Sequence, residues 1–195
     1  DSGSEDAIAY VIQSGLGLPD EAYYREEAHA ETLSAYEKHV AEMLEFLDPA
    51  RLFGLGAEVA AHRIVALEKE LAVGHWDVVS TRDAVKTYNP CEFSELPTMT
   101  RALLSGGNLP EHRVVNMMPS YLEHFEGLFT SNRMADWQLW ATWHILRSRA
   151  AMLPEEVGAK NFEFYGTTLS GATEQRDRWK RAVGLAESLV GEEIG

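Results

Sequence analysis

The sequence predicts an all-α fold: a multi-helix domain around a central Trp-rich helix, with at most a short N-terminal strand. Three observations predict it. Residues 134–153 (MADWQLWATWHILRSRAAML) repeat apolar side chains at helical steps and carry three of the five tryptophans. Several other segments show the single apolar stripe of a surface helix, punctuated by Pro, Gly and Asp. Patterns typical of strands are almost absent.

On the central segment Met134, Trp137, Trp140, Ala141 and His144 share one face, while Leu139, Trp143 and Leu146 lie on others. A helix apolar on several sides has neighbours on several sides, and each tryptophan can bury roughly 200 Å². This helix is therefore expected at the centre.

Before it, residues 7–13 (AIAYVIQ) read as a short strand whose mate is expected upstream, and residues 14–20 (SGLGLPD) as a turn. Pro19, Asp20 and Glu21 start a helix, with acidic groups at the positive end of its dipole. Leu33, Tyr36, Val40, Met43 or Leu44, and Leu47 form the stripe of a long amphipathic helix, with glutamates, Lys38 and His39 on its polar side. Asp48-Pro49 ends it and opens a short turn of helix. Residues 57–73 are a third helix through Ala60, Ile64, Leu67 and Leu71, stopped at Gly74.

Residues 75–97 are more broken. Ser80-Thr81-Arg82-Asp83 has the form of a capping box, Tyr88-Asn89-Pro90 is a turn, and residues 93–96 make one helical turn. A short helix over 98–104 closes at Ser105-Gly106-Gly107-Asn108. Val114 and Val115 are a brief extended piece, and Pro119 opens a helix through Tyr121, Leu122, Phe125 and Phe129. After the central helix ends at Pro154 come a helix over 155–165 and a last helix over about 173–190. The last helix carries Trp179, Ala182, Val183, Ala186 and Leu189 on one face.

The 195 residues are enough to bury a core, and 45% apolar content is that of a globular chain. A net charge of −14 repels a phosphate backbone and an anionic bilayer, so neither nucleic acid nor a membrane surface is expected as partner. The single cysteine, Cys91, precludes an internal disulfide. No apolar run is long enough to span a bilayer. The opening residues lack the pattern of a signal peptide and a starting Met, and the chain reads as a piece of a longer product. Its compartment stays open between bacterial cytoplasm and secretion.

Each grouping of chemical residues has a structural reading that outweighs the functional one. Glu26-x-x-His29 has the spacing of a di-iron bundle on one helical face, but a second copy and two further glutamates are missing. Glu58 and His62, one turn apart, are read the same way. No two histidines are four apart and none is followed by Glu, so the zinc-peptidase signature His-Glu-x-x-His is absent. His144, the histidine most embedded in apolar sequence, reads as a core residue. Gly15-x-Gly17 and Gly54-x-Gly56 are half phosphate loops without the rest. Arg176, Arg178, Lys180 and Arg181 read as a solvated face alternating with a buried stripe, and Cys91 as a passive thiol. No catalytic residue and no metal ligand is therefore assigned, and no substrate-binding residue can be named.

Four stretches resemble the neprilysin and endothelin-converting enzyme family of zinc metallopeptidases, in the family's order. Residues 13–24 (QSGLGLPDEAYY) are similar to its turn from a hairpin into the first helix of the cap region. RIVALEKEL with HWDVVSTRDAVKTYNP resembles its Ala-Leu-Glu helix and Tyr-Asn segment, in wording closest to actinobacterial, mycobacterium-like members. Residues 136–147 resemble its Trp-rich helix, and residues 162–195 its Phe-Tyr-Gly, Arg-Trp and closing Gly-x-x-x-Gly pattern.

The resemblance implies two largely helical domains closing on a cavity, with zinc held by a catalytic domain whose motifs lie toward the C-terminus. The present chain, residues 1–195, resembles the cap and has no counterpart of the zinc ligands, the general-base Glu or the substrate-binding Asn-Ala motif. Gly191-Glu192-Glu193 aligns elsewhere and is not assigned as a zinc motif. Ala182 stands where animal members carry a cysteine, a departure that fits bacterial relatives. The expectation is a non-catalytic cap-domain fragment of a zinc endopeptidase acting on oligopeptides, with no cofactor of its own and zinc in the parent. Its partners would be the parent's catalytic domain and peptide substrates. The alternatives are a free-standing helical interaction domain and, more weakly, a ferritin-like metal bundle.

Overall fold

A computed structural model describes residues 8–109 and 111–194. Among these are eight α-helices: α1 (Ala22–Arg25), α2 (Ala30–Leu44), α3 (Ala57–Gly74), α4 (Thr98–Gly106), α5 (Pro119–Leu128), α6 (Met134–Arg149), α7 (Glu155–Phe162) and α8 (Arg178–Ile194). Three short strands, β1 (Ala9–Val11), β2 (Pro90–Cys91) and β3 (Val114–Asn116), form one small sheet. The chain is thus mainly helical, as its periodicity predicts. It forms two compact units, one from Asp1–Leu33 and Ile64–Gln138, the other from Ser34–Arg63 and Leu139–Gly195.

In the first unit the sheet runs in the order β1-β3-β2. β1 lies parallel to β3, with Ala9 opposite Val114 and Val11 opposite Asn116, while β2 pairs antiparallel through Cys91 and Val114. Among the described residues the strand's partner lies downstream, in β3, which the sequence did not suggest; β1 is at the sheet's edge, the upstream mate expected from the sequence lies outside these residues, and so does Ala7. Three residues are too few to print an alternating pattern, and a pairing a hundred positions apart leaves no local trace. Phe93, Leu96, Val114, Met118, Tyr121 and Leu122 form the core beneath the sheet. Trp137 packs on Phe129 and Phe125, with ring centroids 4.9 and 5.4 Å away, and its Nε1 donates to the Leu128 carbonyl at 3.2 Å.

In the second unit Trp143 is fully buried, and its Nε1 donates to Oη of Tyr36 at 2.8 Å. Val40, Met43, Leu44, Leu139 and Leu146 are buried with it. On α2 the structure moves one residue across the predicted face: His39, expected among the polar residues, is buried. It lies three positions from Tyr36 and four from Met43, so it belongs to the apolar stripe by geometry. The helix expected over 155–165 ends at Phe162 and widens into a π turn, Glu163–Thr168. Gly166 allows that turn, since a Cβ there would fall 2.3 Å from the Phe162 ring.

One capping expectation also changes. Ser80 is capped by Asp77, whose carboxylate accepts from the Ser80 amide at 2.8 Å and its hydroxyl at 2.7 Å. The reciprocal capping box is instead Glu92 with Glu95. Glutamate has the reach to return to the cap amide, which the shorter Asp83 lacks.

Candidate functional site

A densely connected polar region lies in the first unit, where residues 13–25 meet the C-terminal end of α3. Gln13 grips the backbone of Trp76 with both ends of its carboxamide: Oε1 accepts from the amide at 2.8 Å and Nε2 donates to the carbonyl at 2.9 Å. The next carbonyl, Ser14, accepts from Oη of Tyr121 and bonds Nε2 of His75 at 3.2 Å. Gly15 takes φ +102°, a conformation that costs a side-chain-bearing residue energy. The chain then turns so that the amides of Gly17 and Leu18 both donate to Oη of Tyr24 at 3.0 Å.

Tyr24 in turn donates its hydroxyl to Oε2 of Glu68 at 2.7 Å. Burial, and then the neighbouring Glu68, hold its phenol far above the ordinary value, so it stays a donor at any working pH. Arg25 donates to the carbonyls of Ala72, Val73 and His75, satisfying acceptors left open at the end of α3. Burial pushes His75 down to about 4, with the nearby Arg25 acting in the same direction and its bond to Ser14 opposing. Burial likewise pushes Tyr121 up to about 12. Between the turn and the segment after α3 a cleft of about 280 Å³ remains, with Leu16, Pro19, Glu21, Trp76 and Val78 in its wall.

In the second unit His39 is the centre of an aromatic cluster. Its ring stacks on Phe164 at 4.8 Å and meets the edge of Trp143 at 5.8 Å. Burial lowers its pKa to about 4, against the opposing pull of Asn161 and Glu42. Its Nε2 is buried without a hydrogen bond. At the margin Lys160 bridges Glu163 at 2.8 Å and Glu42 at 3.2 Å.

The residues singled out from sequence do not converge. Glu26 and His29 are not on one helix: Glu26 is extended between α1 and a 3-10 turn, and His29 stacks on Tyr23 at 4.4 Å. His62 pairs with Glu37 at 2.9 Å, not with Glu58. His144 is only half-buried, against Trp140; the buried histidines are His39 and His75. Cys91 sits in β2 with its thiol pushed up by burial. Arg178 and Arg181 reach Glu155 at 3.3 and 3.5 Å, and Lys180 reaches Asp177 at 3.0 Å. The stripe of α8 expected to be buried is uncovered among the described residues. Among the described residues no three His, Cys, Asp or Glu side chains come together as metal ligands, so they do not fit a zinc ion. Tyr24, Glu68 and Glu21 carried no chemical signature in the sequence; a glutamate on an apolar helix stripe, as at position 68, is the pattern that could have found one of them.

A profile of peptidase family M13 matches residues 1–195. The chain belongs to that family and corresponds to the N-terminal region of M13 zinc metallopeptidases. It is 29% identical to Neprilysin-2 of Drosophila melanogaster over 92% of its own length and 24% of the relative's. It is 42% identical to the zinc metalloprotease ZMP1 of Mycobacterium tuberculosis in its inhibitor complex, with a TM-score of 0.79 over 91% of this chain and 28% of that one. The fold also matches PEPO of Lactobacillus rhamnosis, at 20% identity and a TM-score of 0.72 over 88% of this chain and 28% of that one. The chain therefore spans about a quarter of the length of the relatives it matches.

Proposed function

We propose that this chain is a non-catalytic cap segment of a zinc-dependent endopeptidase acting on oligopeptides. Its helices would wall the substrate cavity, admitting peptides and rejecting folded proteins, while the rest of the parent holds zinc and performs hydrolysis. Closing such a cavity removes bulk water and strengthens electrostatics at the reacting centre. The observation that carries the reading is the free face of α8. Trp179, Val183, Leu189 and Val190 are 64%, 58%, 64% and 41% exposed, although Arg178 and Arg181 anchor the start of that helix to Glu155. A contiguous apolar stripe on an anchored helix is the mark of a contact surface, and in this reading the parent's remaining polypeptide covers it.

The test uses the 195-residue chain with added zinc and a quenched fluorescent oligopeptide. It should cleave nothing and retain no zinc at unit stoichiometry after desalting. Stoichiometric zinc together with peptidase activity would overturn the reading.

A further inference from the structure

We propose that the cleft beside the Gln13–Glu21 turn is a binding site for an alkyl cation, the guanidinium or ammonium end of an arginine or lysine side chain. The decisive group is Glu21. It lines the cleft, is only 6% exposed, and its carboxylate makes no hydrogen bond or ion pair with any described residue. A carboxylate on so enclosed a side chain has little room for hydrating water, and a cation entering the cleft would offset its charge.

Three neighbouring side chains of the cleft are committed. Both ends of Gln13 hold Trp76, the Thr81 hydroxyl donates to Val78 at 2.9 Å, and His75 is held by Ser14. Asp20 gives one oxygen to the Ala22 amide at 3.0 Å and adds a second negative charge to the wall. No Lys or Arg lines the cleft. The site is anionic, with the Glu21 carboxylate unspent.

The remaining wall decides the kind of cation. Leu16, Pro19, Trp76 and Val78 offer apolar surface suited to a methylene stem. A hard divalent ion takes about six to eight oxygens, more than two carboxylates supply, and no third acidic, His or Cys ligand joins them among the described residues. A volume of about 280 Å³ accommodates a long basic side chain. The source is either a basic residue of a bound peptide or one from a further part of the parent polypeptide.

Calorimetric titration of the 195-residue chain with N-acetyl-arginine amide, against the neutral isostere N-acetyl-citrulline amide, tests the site. The arginine probe should bind roughly tenfold tighter or better, and Glu21→Gln should abolish the preference. Because the glutamate has no partner to lose, that variant should keep its melting temperature, which separates lost binding from lost folding. Asp20→Asn, which can still cap Ala22, should weaken the preference less. Equal response to both probes, or a preference that survives Glu21→Gln, overturns the proposal. A second arm alone rests on the cap reading. In the full-length protein, a peptide-supplied cation predicts that Glu21→Gln raises KM for an arginine-containing peptide but not for its citrulline analogue. A cation supplied by the polypeptide itself predicts no probe binding there while the 195-residue chain still binds.

Discussion

The hydroxyl of Tyr24 stands 2.7 Å from Oε2 of Glu68 while accepting from the amides of Gly17 and Leu18. One oxygen thereby joins the glycine-rich turn to a fully buried glutamate in the middle of α3. A buried carboxylate is tolerated where donors reach it, and here one donor is also the acceptor that shapes the turn.

Tyr24→Phe should destabilise the chain by about 2–4 kcal/mol, because two amides lose their acceptor and Glu68 loses a donor at once. Urea unfolding followed by circular dichroism would read this as a lower midpoint at unchanged slope. Glu68→Gln, which keeps an acceptor for Tyr24, should cost less.

Stability should fall on acidification between about pH 6.5 and 4. His39 and His75 have native pKa values of about 4, below the 6.5 of an unfolded histidine. The unfolded chain therefore binds protons first, and each histidine's share of stability is complete above pH 6.5 and lost toward pH 4. The loss is about 3 kcal/mol per histidine at most, an order-of-magnitude figure. Melting temperatures of wild type and His39→Phe across this range would show it, the variant having the shallower slope.

Gly74→Ala should be destabilising although it removes a helix glycine. Its Cβ would come within 2.3 Å of Cδ2 and 2.8 Å of Cβ of His124. That ring cannot simply swing away, since Nε2 is 2.7 Å from the Glu70 carbonyl. Overpacking of this kind costs about 1–3 kcal/mol, measurable by thermal melts, and His124→Ala in the same chain should restore most of it.

Trp179→Glu should change the stability of the 195-residue chain by no more than about 0.5 kcal/mol, as expected of an exposed position. It should reduce binding of a hydrophobic fluorescent dye. A large loss of stability would mean that the tryptophan packs inside the chain and that α8 has no free face.

Much of the helical layout was legible in the sequence because helices are local. The punctuation at Asp48-Pro49, the stop at Gly74 and the start at Pro119 recur in the structure. The strand pairing of residues 9–11 with 114–116 was not legible, because register is set by contacts far apart in sequence. The candidate site was less visible still. Glu21 read as an ordinary acidic residue at a helix start, and its isolation depends on which neighbours are already bonded to one another.

By itself the sequence determined helical periodicity, acidity, the absence of a His-Glu-x-x-His pair and a family likeness, since each depends on residue type and spacing along the chain. Only the tertiary structure decided that His39 is buried, that Glu26 and His29 part company, and that the stripe of α8 stays uncovered. Burial and pairing depend on which surfaces meet. A helical stripe states what a face would bury but not whether anything arrives to cover it.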